Sequence, residues 1–100
     1  MTRLSDQHAA RVAARARALA DVTRVRILDV LARSELPVGH IARALGVEPS
    51  SVSKHLQVLF REGLVVRRRA ASTVIYAIAD SNLHECCRYL GSAQLGAASK

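Results

Sequence analysis

Between Pro37 and Gly63 the sequence PVGHIARALGVEPSSVSKHLQVLFREG admits few arrangements other than two short helices around a tight turn. Val38, Ile41, Ala42 and Leu45 recur at helical spacing, Gly46 supplies a C-terminal stop, and Val47 plugs the turn that follows. Pro49 suits the first position of a second helix, where a missing N–H costs nothing, and Glu48, Ser50 and Ser51 are placed to serve the free amides of its first turn. In that second helix Val52, Leu56, Leu59 and Phe60 share the face expected to meet a core. Ser50, Ser53, Lys54, Gln57 and Arg61 lie roughly opposite, on a face without a single acid.

Such a pair of helices is a helix–turn–helix, spanning about 38–62, whose second helix enters the major groove while the first braces it. The hydroxyls of Ser50, Ser51 and Ser53 suit phosphates or bases, Lys54 a phosphate or guanine, and Gln57 an adenine edge. His55, on the same helix, completes the candidate DNA-contact set there. An ordinary helical hairpin with a solvated face is the competing reading.

Charge favours the first. The chain of 100 residues has a formal net charge of +7, and of its 15 basic residues all but Lys54 and Lys100 are arginines, the side chain best matched to phosphate. The length suits one domain, and a hydrophobic content of 50% is too high for a disordered chain. No signal-peptide pattern opens the sequence and no apolar run is long enough to cross a membrane. The expected location is therefore the cytoplasm, with Cys86 and Cys87 as thiols.

Upstream, residues 5–20 form an alanine-rich helix capped by Ser5 or Asp6, with a thin stripe of Val12, Ala16 and Leu19 suited to packing across a dimer and Arg11, Arg15 and Arg17 turned outward. His8 there reads as a surface residue. A second helix, from Asp21 or Val22 to Arg33, offers Val25, Ile27, Leu28, Val30 and Leu31 as the centre of a small core. Arg24 and Arg26 stay outside it, facing water or the phosphate backbone, and SELP ends the helix.

Downstream the period changes from helical to alternating. LVVRRR and STVIYAIA, separated at Ala70–Ser72, read as a β-hairpin over about 64–79, with Val74, Tyr76 and Ile78 on one face. Arg67, Arg68 and Arg69 near its tip make it a wing, expected to lie along the DNA backbone or reach a minor groove; a charged strand edge that blocks aggregation is the plainer alternative. A last helix, about 81–95, is capped by Asp80 or Ser81. Leu83, Cys87, Leu90 and Gln94 form one stripe on it, Cys86, Tyr89, Leu90 and Ala93 a neighbouring one, before a fraying tail. The fold class that follows is mainly α with a β-hairpin wing, a winged helix–turn–helix in a single domain, dimerising through its first and last helices to read a palindromic duplex.

Several of these segments agree in order and spacing with one known group. ALADVTRVRILDVLA, then ELPVGHIARALGVEPSSVSKHLQVLFREGLV, then a basic hairpin ending in YAIADSNL, resemble the ArsR/SmtB family of metal- and arsenic-responsive repressors over roughly residues 18–83. The resemblance implies a homodimer that sits on double-stranded operator DNA, reads it with Ser50 to Gln57, and leaves when an inducer binds. The family's metal box on the first helix of the motif places cysteines where this chain has Pro37 and Gly39, and an acid where it has His40. Its hard-metal site on the last helix begins Asp-x-His, whereas Asp80 is here followed by Asn82, and Ala93 and Gly96 stand where the second ligand pair belongs. Zinc, nickel or cobalt sensing is therefore not expected at either place.

Cys86 and Cys87 remain, at a helix where some members hold trivalent arsenic with adjacent cysteines and a third one nearby that this chain lacks. Three readings stay open: a site for As(III), Sb(III) or another soft metal ion, completed by the other subunit, solvent or a small thiol; a redox or sulfur switch, if His84 or Arg88 lowers the thiol pKa; and plain packing. No cofactor is required, and no nucleophile–base set or glycine-rich phosphate loop marks an enzyme. A protein–protein module and a sequence-neutral architectural protein are the remaining rivals.

Overall fold

In the computed structural model, which describes residues 2–93, helices α1 (Asp6–Leu19), α2 (Val22–Leu31), α3 (Val38–Leu45), α4 (Pro49–Arg61) and α5 (Ser81–Ser92) surround strands β1 (Leu36–Pro37), β2 (Val65–Ala70) and β3 (Thr73–Ile78). Short polar side chains set three of the helix starts. Ser5 Oγ accepts from the His8 N–H at 3.0 Å, Asp21 Oδ1 from the Arg24 N–H at 3.2 Å, and Asp80 Oδ1 from the Asn82 N–H at 2.8 Å. Asp21's carboxyl is held below its ordinary value, first by the hydrogen bond from the Arg24 amide, with burial opposing it.

Gly46 takes a left-handed conformation (φ 66°) at the end of α3, so the chain reverses into α4 within three residues. Gly63 (φ 74°) does the same after α4, and the Leu64 N–H returns to the Leu59 carbonyl at 2.9 Å. The hairpin closes on Ala71 and Ser72, with Ala70 opposite Thr73 and Ala71 at φ 57°.

α2, α3 and α4 converge on one core, in which Ile27, Leu28, Ile41, Val52, Leu56 and Leu59 are sealed from solvent. Leu64, Val65 and Tyr76 close it from the sheet side, and Ala18 is the one buried residue of α1. Burying these side chains at about 25 cal/mol per Å² is the main drive to fold.

Four expectations change. SELP is not only a break: Leu36 and Pro37 pair antiparallel with Tyr76 and Ile75, giving a three-stranded sheet in the order β1-β3-β2. Two residues carry no readable period, and their partner lies far along the chain, so this strand has no local signal. Phe60 leaves the core face; it is 38% exposed, while half-buried Val58 packs against the core from α4's other flank. Helix α2 stops at Leu31 with Val25 partly in solvent. α5 stops at Ser92, short of the expected 95; Gln94, Gly96 and the rest of the tail lie outside the described residues.

Candidate nucleic-acid interface

The outer face of α4 is assembled by the turn before it. Glu48 precedes α4 without making a side-chain capping bond, contrary to the sequence expectation, and its carbonyl instead accepts from the Ser51 and Val52 amides at 3.0 and 3.1 Å. Ser50, Lys54, Gln57 and Arg61 are exposed along one side of α4, with Ser51 and Ser53 half-buried on its flanks. These are small hydroxyls, one amide and two cations, the donors that phosphates and base edges accept from.

His55 is not among them. It is turned from the outer face and half-buried, where its Nδ1 stands 3.3 Å from an Arg24 guanidinium nitrogen, which donates to it when the imidazole is neutral. Arg24 also donates to the Ala18 and Arg17 carbonyls at the end of α1, so it ties α1 to α4 instead of facing water. Arg15, expected outward, donates from Nε to the Glu62 carbonyl at 3.2 Å. Arg24 at Ala18 and Arg15 at Glu62 thus donate to carbonyls at helix ends, where the helix itself supplies no partner.

The arginine triplet divides by the strand period. Arg67 and Arg69 fall on one face of β2 and Arg68 on the other. Arg67 Cζ lies 3.9 Å from the centroid of the Phe60 ring, so the ring that leaves the core face meets a guanidinium. Arg68 instead forms an ion pair with Glu35, Nε to Oε1 at 2.8 Å, so its charge is matched within the subunit. The two meet because Pro37 of β1 and Arg68 of β2 flank the same β3 residue, Ile75.

At the other end of the molecule α5 buries no residue. Leu83 and Cys87 lean against the core, whereas Cys86 is exposed and Tyr89 and Leu90 remain 69% and 61% in solvent. Cys87 is one of the residues lining a groove of about 200 Å³ between α2 and α5, with Val25, Arg26, Asp29, His84 and Arg88. Its thiol is pushed up, first by burial and then by the charges of Cys86 and Asp29. The sequence reading allowed for the opposite shift, driven by His84 or Arg88. His84 Nε2 is instead 2.8 Å from Asp29 Oδ1, and Arg88 faces Glu85 at 3.8 Å. Among the described residues no three His, Cys, Asp or Glu side chains gather as a metal site. The adjacent thiols therefore offer two soft donors, and any further ligand has to come from outside this set.

The family model described as "Bacterial regulatory protein, arsR family" matches residues 21–66, from the cap of α2 into β2. The HTH-type transcriptional regulator NmtR of Mycobacterium tuberculosis is 42% identical over 80 residues, covering 80% of this chain and 67% of NmtR. The chain belongs to the ArsR/SmtB family. The solved homodimeric winged helix–turn–helix DNA-binding domain of Mb0332 from Mycobacterium bovis superposes with a TM-score of 0.78 at 36% identity, over 91% of this chain and 90% of that one. The cadmium metal-sensor CmtR of Mycobacterium tuberculosis superposes at 0.69 with 42% identity, over 81% of this chain and 84% of its own. An SmtB homologue of Synechocystis is matched over only 50% of its length, so this chain spans half to two thirds of some curated ArsR/SmtB relatives. Among the described residues no helix is long and apolar enough to cross a membrane.

Proposed function

We propose that this chain is a homodimeric transcriptional repressor that reads double-stranded operator DNA with α4 and the wing, and leaves it when a soft metal or metalloid ion binds Cys86 and Cys87. The observation that carries the reading is the acid-free outer face of α4, where Lys54 and Gln57 stand exposed, with Arg67 of the wing held against Phe60 of the same helix. Ser50, Ser51 and Ser53 supply hydroxyl contacts beside them, while His55 and Arg68 act from within the fold. A palindromic site needs two such faces, and the exposed Val12, Tyr89 and Leu90 of α1 and α5 give a second subunit an apolar surface to cover. The homodimeric Mb0332 domain supports that pairing.

Trivalent arsenic and antimony, and cadmium, prefer thiolates, and CmtR supports a cadmium-like ion as one candidate. Bound at α5, the ion shifts the dimer angle until the two α4 helices no longer match successive major grooves. Linkage requires DNA to weaken the ion equally, and coupling of about 1–3 kcal/mol suffices for release. The raised Cys87 pKa weighs against a switch that depends on a reactive thiolate.

The test is a titration of the reduced dimer, bound to duplex from upstream of its own gene, with arsenite, antimonite, cadmium, zinc and an oxidant. Release by the soft ions and not by zinc is the expected result. Lys54→Ala weakens binding about 5- to 100-fold, according to whether its ammonium contacts phosphate or base. The double change Cys86→Ser with Cys87→Ser keeps DNA affinity and abolishes release; dissociation unchanged in that variant would falsify the thiol site. Binding equally tight on random duplex makes the protein architectural, and none at low salt leaves a protein–protein module.

A further inference from the structure

Phe60 is the chain's single phenylalanine, and it stays outside the buried core with 38% of its surface in solvent. It sits three residues past Gln57 and one before Arg61, on the flank of α4 that faces β2, with the Arg67 guanidinium over its ring at 3.9 Å. The two wing arginines with defined partners are thus held in different ways. Glu35 takes up Arg68 donors and cancels its charge. An aromatic face takes up neither: it attracts the cation through the ring quadrupole and leaves the N–H donors at the guanidinium edge free for phosphate oxygens.

We propose that Phe60 is a positioning residue of the DNA interface, holding Arg67 so that wing and recognition helix present their cations as one surface. The inference rests on the proposed DNA reading. Arg67 then meets a phosphate beside the groove that α4 enters, without first ordering a long free side chain. Its register against Lys54 and Arg61 is fixed by the ring instead of by the hairpin alone.

The experiment compares wild type, Phe60→Leu, Phe60→Tyr, Arg67→Gln and the Phe60→Leu/Arg67→Gln double variant, by anisotropy of a labelled upstream duplex across a salt series. Phe60→Leu and Arg67→Gln each weaken binding about two- to fivefold, the range an exposed cation–π contact supports. Each makes the log–log salt slope shallower by up to about one. The double variant binds no more weakly than Arg67→Gln alone, and Phe60→Tyr, which keeps a ring, binds like wild type. Losses that add in the double variant, or a full loss in Phe60→Tyr, overturn the proposal.

Proton NMR of the wild-type protein checks the contact without any variant, so the proposal does not depend on Phe60→Leu folding. The Arg67 δ-methylene protons are expected upfield under the ring current, and ordinary shifts overturn it. If wild type binds no duplex even at low salt, the DNA reading fails, while the NMR shift still shows whether Phe60 holds Arg67.

Discussion

α4 and α5 are of nearly equal length, 13 and 12 residues, yet they are fastened to the subunit in opposite ways. α4 seals Val52, Leu56 and Leu59 in the core and is tied on its flanks by Arg24 to His55 and by Arg67 to Phe60. α5 touches the core with half-buried Leu83 and Cys87 and turns Tyr89 and Leu90 outward. A helix that must hold side chains in register with a groove gains from rigidity. One that must change its angle when a ligand arrives needs few contacts to break. The contrast fits the proposed division, with reading on the element the subunit fixes and sensing on the element that touches its core least.

Truncation breaks or sharpens this contrast most strongly. Leu56→Ala opens a cavity in the centre of the core and is expected to cost about 2–5 kcal/mol in urea unfolding, taking DNA binding with it. Leu90→Ala removes a side chain 61% exposed in the subunit. Its effect on subunit unfolding is expected within about 0.5 kcal/mol, with the change appearing as weaker self-association in sedimentation. Equal unfolding costs at the two positions would mean that α5 is as firmly built in as α4.

The same contrast explains what the sequence makes legible. α4 is visible because burial and exposure alternate within one continuous segment: Val52, Leu56 and Leu59 inward, Lys54 and Gln57 outward. Gly46 and Gly63 mark its neighbouring turns through the positive φ they adopt. Contacts made by register across the sheet leave no such trace. Nothing near Glu35 points to Arg68, and the pair exists because β1, itself only two residues long, adds to β3. Phe60 reads as core on a helical wheel because hydrophobicity alone does not separate a ring packed inward from one that receives a cation. His55 and Lys54 are neighbours in sequence, but a rotation of about 100° per residue sends one to Arg24 and the other to solvent.

A smaller effect separates the helices by pH. Soft ions bind the thiolate, so the proton on Cys87 competes with them, and the fold raises that thiol above its ordinary value of 9.0 by burial. The folded chain holds the proton more tightly, so release by cadmium is expected to weaken as pH falls. It keeps strengthening as pH rises past the point where an ordinary thiol has titrated. Anisotropy at fixed salt, with ion-free affinity at each pH as the reference, isolates this term. A cadmium response that is flat with pH places the ion away from Cys87.

The smallest expected effect lies at Glu35. Both members of its pair with Arg68 are largely solvated, the side chains 47% and 62% exposed, so the pair contributes about 0–1 kcal/mol to stability. Its larger consequence is electrostatic: an acid stands beside the wing and matches one of its three arginines. Glu35→Gln removes that charge with little change in shape, and is expected to leave thermal unfolding nearly unchanged while tightening duplex binding a few-fold at low salt. The freed Arg68 steepens the salt slope by up to about one phosphate contact. Arg68→Gln, in contrast, leaves the Glu35 carboxylate unmatched beside the wing and is expected to weaken duplex binding modestly, less than Arg67→Gln does, with the salt slope nearly unchanged, since in the wild-type fold that guanidinium faces Glu35. If Arg68→Gln weakens binding as much as Arg67→Gln, the ion pair opens on the duplex and all three arginines bind. The wing would then be as adaptable as α5, and the rigid reading surface would reduce to α4 alone.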